Sequence, residues 1–60
     1  MRYTYGMRLR PAGPGAQPKE GLQEIKTDPK DEYWDLLVYD RELSEKEIHD
    51  YELRYLGKEE

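Results

Sequence analysis

The sequence predicts an α+β fold in which a mainly antiparallel sheet of three strands packs against one C-terminal helix. Three observations lead to this prediction. Residues 2–10 alternate polar and apolar side chains with period two, which is typical of a half-buried strand. Residues 33–39 form the most apolar run and are rich in strand-forming residues. Residues 44–57 open with a capping pattern and close on a glycine, which is typical of a helix.

Length and composition narrow the fold further. The chain has 60 residues, no cysteine, 40% charged and 35% hydrophobic residues, so we predict a single small domain without disulfides. A domain of this size hides only about 60% of the surface that its unfolded chain exposes. The apolar surface of residues 33–39 and 45–56 exceeds what one copy covers, and we therefore predict a homo-oligomer. Six tyrosines and one tryptophan favour a folded chain over a disordered one, despite the mean hydropathy of −1.22.

The first predicted strand, residues 2–10, places Tyr3, Tyr5, Met7 and Leu9 on one face. Gly6 lies on the other face and indicates a bulge or the close approach of other atoms. Residues 11–19 follow as a loop, because three prolines and two glycines in eight residues exclude both helix and sheet. We expect this loop to be ordered.

Two further strands and a helix complete the prediction. Residues 21–26 form a weaker strand, in which Leu22 and Ile25 are out of phase. An Asp-Pro turn leads into the strand 33–39, which is apolar on both faces and is expected to be central.

The helix prediction covers residues 45–56. Ser44 and Glu47 have the spacing of a capping box, and Leu43 and Ile48 that of a hydrophobic staple. Gly57 is expected to end the helix.

The charge is divided along the chain in a way that indicates an anion site near the N-terminus. Residues 1–19 carry +4 and residues 20–60 carry −8, giving the net −4. Two arginines two apart on one strand project the same way, as forks suited to phosphate, and a glycine loop offers backbone N–H groups. A glutamine amide and a stacking aromatic ring would then contact a base. The predicted ligand-binding residues are Tyr5, Arg8, Arg10, Gly13, Gly15, Gln17, Lys19 and Trp34.

A structural alternative exists for each part of this site. Surface arginines commonly pair with nearby acids, here those of the C-terminal helix. Aromatic residues at strand and helix spacing are commonly core residues.

The sequence gives little support for other functions. His49 is the only histidine and lacks a nucleophile, while Asp28, Asp31 and Glu32 lack the spacing and central glycine of a calcium loop. We predict no enzyme activity, no cofactor and no metal. Duplex nucleic acid is a poor partner for a chain of charge −4. No apolar run reaches about 18 residues, so we predict no membrane contact and a cytoplasmic protein.

Three motifs carry a resemblance to known proteins. They are Tyr3–Arg10, the Pro14–Pro18 loop, and the segment Tyr33–Leu43 that precedes the capped helix. Together they resemble a group of very small, uncharacterised proteins of Firmicutes and their phages. By size and acidity the chain is similar to phage anti-defence proteins, which include anti-CRISPRs, anti-restriction proteins and sponges for nucleotide immune signals.

Two functional hypotheses follow. In the first, the chain sequesters a small phosphorylated nucleotide immune signal at the basic N-terminal segment, without catalysis. In the second, the acidic C-terminal helix binds a host defence protein and inhibits it.

Overall fold

The computed structural model describes residues 1–59, which form four strands and one helix. The elements are β1 (Arg2–Met7), β2 (Leu22–Lys26), β3 (Leu36–Tyr39), α1 (Glu45–Asp50) and β4 (Leu53–Glu59). The strands form one sheet in the order β2-β3-β1-β4, and every neighbouring pair is antiparallel. The α+β class and the antiparallel sheet are confirmed, whereas the predicted number of three strands is wrong.

The core lies on one face of the sheet, which we call the helix face. Tyr3 and Tyr5 of β1 stand opposite Tyr39 and Leu37 of β3 on this face. The helix and the loop 11–18 cover this face. The helix packs against the buried cluster through Ile48 and its C-cap residue Tyr51, and the loop does so through Ala12 and Ala16. The cluster consists of Tyr5, Met7, Leu37, Tyr39, Leu43 and Leu53.

The opposite face is partly covered by the chain itself. The ring of Tyr33 lies directly over Gly6, so that a Cβ atom at Gly6 would be 2.6 Å from Tyr33 Cγ. The close approach that the sequence predicted at Gly6 is therefore confirmed. Val38, also on this face, is buried without a second subunit.

A bulge in β2 explains the spacing of its apolar residues. The register with β3 shifts between Leu22 and Glu24, which sets Leu22 opposite Tyr39 and Ile25 opposite Leu37. Both residues therefore lie on the helix face, although three positions separate them.

The predicted helix 45–56 is too long. The capping box of Ser44 and Glu47 is confirmed, but α1 ends at Asp50 and Glu52 adopts a left-handed conformation with φ 56°. The chain then returns as β4 and pairs with the free edge of β1, burying Leu53. Gly57, predicted to end the helix, lies within β4 instead. No helix among residues 1–59 is long and apolar enough to cross a membrane.

Two strands are shorter than predicted. The strand predicted over 2–10 ends at Met7, and the one predicted over 33–39 begins at Leu36. Beyond Met7 the chain turns onto the helix face, where the backbone N–H of Ala12 donates to Asp35 Oδ2 at 2.9 Å. Arg8 and Arg10 consequently do not lie on a strand, contrary to the prediction.

Candidate functional site

The polar groups of the loop 11–18 bond within the fold. The N–H of Gly13 donates to Gln17 Oε1 at 3.2 Å, and the N–H of Ala16 donates to the Gly13 carbonyl at 3.0 Å. Gln17 is only 9% exposed. The hydroxyl of Tyr39 donates to the Pro18 carbonyl at 2.7 Å and fastens the loop to the core. The amide predicted to contact a ligand thus acts as an internal brace.

Arg10 forms an ion pair with an acidic side chain. Its Nη2 donates to Glu52 Oε1 at 2.6 Å, with both side chains about half exposed. The alternative interpretation, in which surface arginines pair with acids of the predicted C-terminal helix 45–56, agrees with this pair. The acid lies just after α1 rather than within it.

Arg8 is exposed and forms no ion pair among residues 1–59. It stands between two depressions of about 250 and 430 Å³. The first is also lined by Asp31, Glu32, Tyr33 and Trp34, and the second by Glu45, Ile48, His49, Glu52 and Leu53. Acids flank Arg8 on both sides, and a bound anion would meet their repulsion.

The two aromatic rings predicted to stack on a base are in opposite environments. Tyr5 is 0% exposed, and its hydroxyl accepts the N–H of Leu43 at 2.9 Å. Burial raises the pKa of Tyr5, and its ring lies 5.9 Å from that of Tyr39 at 79°. The predicted role of Tyr5 as an open stacking surface is therefore wrong, because the hydrophobic face of β1 is the core face. Trp34 is 58% exposed and shares a depression with Arg8.

The turn before β3 holds the backbone of Tyr33 in place. Asp28 accepts the backbone N–H groups of Lys30, Glu32 and Tyr33 at 3.0, 2.8 and 3.0 Å. These bonds stabilise its charged form and lower its pKa. Asp28 thus acts as the cap of an Asp-Pro turn, in agreement with the sequence prediction.

Arg41 forms an ion-pair network that the sequence did not predict. Arg41 Nη1 and Nη2 donate to Glu47 Oε1 and Oε2 at 3.0 and 2.8 Å, and Arg41 Nε donates to the Glu20 carbonyl at 2.9 Å. The Arg41 guanidinium and the Ser44 N–H lower the pKa of Glu47 to about 2. The pair joins the start of α1 to the segment before β2. No periodic pattern in the sequence links positions 41 and 47, so no signal indicated it.

The acids around the start of α1 differ in how they are engaged. Glu47 completes the helix cap and forms an ion pair with Arg41, and Asp50 forms an ion pair with Lys46. Glu42 and Glu45 are exposed and form no ion pair within the described residues 1–59. These two carboxylates are the accessible negative charges of this surface.

Comparisons with known proteins place this chain. A protein of Escherichia phage P1, "Defense against restriction protein A", is 35% identical over 65 residues that cover 97% of this chain. The chain spans about a tenth of that protein's length. No solved structure matches. The family model described as "Defence against restriction A C-terminal" matches residues 1–58, nearly the whole sequence, and the chain therefore belongs to that family.

Proposed function

We propose that this chain has an anti-restriction role in a phage and exerts it without catalysis, by binding a host defence protein. The match of the family model to residues 1–58 is the observation that carries the proposal. The name of the phage P1 relative refers to defence against restriction. Because the chain spans only 10% of that relative, we assign it the role of a contact module. Its place of action is the host bacterial cytoplasm, where restriction enzymes meet phage DNA.

The distribution of charge supports contact with a DNA-binding protein. Residues 20–60 carry −8. An enzyme that binds DNA presents a basic surface to the phosphates, and an acidic protein competes for that surface. Glu42 and Glu45 are exposed and available, since neither forms an ion pair among residues 1–59.

Sequestration of a nucleotide signal receives less support from the geometry. Arg10 pairs with Glu52, Gln17 braces its own loop, and the Tyr5 ring is inaccessible. Arg8 and Trp34 remain as an exposed pair beside acids.

A plating assay tests the proposal and separates the two hypotheses. Cells that carry a restriction system and express the chain are infected with unmodified phage, and the efficiency of plating is measured. We expect the chain to raise plating. Combined Glu42→Lys and Glu45→Lys substitutions should abolish this protection, whereas combined Arg8→Ala and Arg10→Ala substitutions should leave it intact. Glu47 is unsuitable for reversal because it holds the helix cap.

Thermal unfolding of both variants provides the folding control. The opposite pattern, with protection lost only in the arginine variant, would assign the function to the N-terminal segment. Failure of the unsubstituted chain to protect against any of several restriction systems would refute an independent role for this module.

A further inference from the structure

The strand β2 forms an open edge of the sheet. It pairs with β3 on one side only, and Gln23, Glu24, Ile25 and Lys26 are all exposed. An edge strand presents unpaired backbone N–H and C=O groups, which another strand can satisfy.

The sequence of β2 is complementary to itself in one antiparallel register. If Ile25 stands opposite Ile25 of a second copy, Glu24 stands opposite Lys26 of the partner subunit, and the reverse pair forms as well. In β2, Glu24 and Lys26 lie opposite Val38 and Leu36 of β3, so both point to the same face. Opposite charges that face each other across antiparallel strands are stabilising.

Glu24 and Lys26 each keep a charged atom available for such pairing. Glu24 Oε1 accepts Arg2 Nη2 at 2.6 Å, while Glu24 Oε2 makes no hydrogen bond among residues 1–59. Lys26 forms no ion pair within the same part of the chain. One carboxylate oxygen and one ammonium group per copy therefore remain for the partner.

The helix face supplies an apolar contact in the same register. A row of side chains crosses the sheet from Ile25 through Leu37 and Tyr5 to Tyr55. Its two central members are fully buried, whereas Ile25, at the β2 end, is 47% exposed. Pairing Ile25 with its symmetry mate would extend this row from one copy into the next.

The other edge lacks this complementarity. A symmetric pairing of β4 about Leu56 would bring Arg54 opposite Lys58, two like charges. Pairing about Tyr55 would create no opposite-charge pair.

We infer that a second copy of this chain docks on β2 in antiparallel register about Ile25, so that two four-stranded sheets form one continuous sheet. The dimer is isologous, with one two-fold axis passing between the two Ile25 residues. This inference does not rest on the proposed function, because it uses neither Glu42 nor Glu45.

Charge-reversal variants test the register directly. Glu24→Lys alone and Lys26→Glu alone each place like charges opposite each other in both symmetry-related pairs, and each variant should be monomeric. A mixture of the two variants restores both opposite-charge pairs and should form a heterodimer. The variant with both substitutions in one chain should again form a homodimer. Native mass spectrometry distinguishes these species through isotopic labelling of one variant.

Lys58→Glu on β4 is the matched control and should leave the dimer intact. Thermal unfolding separates loss of dimerisation from loss of folding, since Glu24→Lys also removes the pair with Arg2. A monomeric unsubstituted chain at 100 μM, or a dimer indifferent to both single reversals, would overturn the inference.

Discussion

The contact between Tyr33 and Gly6 tests how the chain covers the face of the sheet opposite the helix face. A Cβ atom at Gly6 would lie 2.6 Å from both Cδ1 and Cγ of Tyr33. Carbon atoms in contact normally stay about 3.5–4.0 Å apart, so the ring must shift by roughly 1 Å. The clash involves Cγ, which moves only if the side chain rotates about χ1 or the backbone of Tyr33 shifts. Such overpacking costs about 1–3 kcal/mol, and we expect Gly6→Ala to destabilise the fold by that amount.

The effect of Gly6→Ala on stability should change sign when the Tyr33 ring is removed. Gly6 does not have a positive φ, so its backbone accepts alanine. In a Tyr33→Ala background, Gly6→Ala should therefore stabilise by about 0.4–1 kcal/mol, because alanine restricts the unfolded chain. Urea denaturation of the four proteins of this double-mutant cycle measures the coupling.

Gly13→Ala is the matched control, since nothing lies within 4 Å of a Cβ atom there and its φ is not positive. It should change stability by less than about 1 kcal/mol. Equal destabilisation by Gly6→Ala with and without the Tyr33 ring would refute the proposed contact.

Three further predictions concern the core phenol and the helix cap. Burial raises the pKa of Tyr39 to about 12, so its stabilising contribution is complete below pH 10 and is lost as the pH rises from about 10 to 12. The free energy of unfolding, measured by urea denaturation, should fall by about 3 kcal/mol over that pH range. Tyr39→Phe should flatten this pH profile. The pKa of Glu47 is lowered to about 2, so its contribution is present above about pH 4.5 and disappears as the pH falls toward 2. Arg41→Ala should reduce this acid sensitivity, and an unchanged acid profile in that variant would contradict the pair's role. Ser44→Ala removes the acceptor for the Glu47 N–H and should cost about 1 kcal/mol in chemical denaturation, whereas Ser44→Thr should retain most of the stability.

Local sequence signals predicted those features that depend on neighbouring residues. The capping box needs only Ser44 and Glu47, and the alternation of Tyr3, Tyr5 and Met7 identifies the buried face of β1. Gly6 was recognised as a place of close approach, although the sequence did not indicate that Tyr33 lies there.

The errors arise where tertiary pairing overrides local pattern. Residues 53–56 fit a continued helix, but the free edge of β1 is paired by β4 and requires the chain to reverse at Glu52. No residue type at position 52 signals this, because a non-glycine residue rarely adopts positive φ. The alternation continues past Met7 and predicts that Arg8 and Arg10 lie on a strand, although Pro11 and the bond from Ala12 to Asp35 turn the chain away.

The candidate site was predictable only in part. The pairing of Arg10 with an acid was one of two interpretations open from charge alone, and the structure selects it. The burial of Tyr5 follows from its place on the core face. Neither the Arg41–Glu47 pair nor the accessibility of Glu42 and Glu45 depends on a sequence pattern, since both require the positions of distant segments.

Inhibition of DNA cleavage is the sharpest test of whether the chain acts by contact with a restriction enzyme. A restriction enzyme purified from a protected strain is incubated with unmodified DNA and increasing amounts of the chain. We predict inhibition that competing DNA relieves, that weakens with rising salt because the contact is electrostatic, and that is lost with Glu42→Lys and Glu45→Lys. Full cleavage at a large molar excess of the chain, by every enzyme from strains that the chain protects, would rule out inhibition by protein contact.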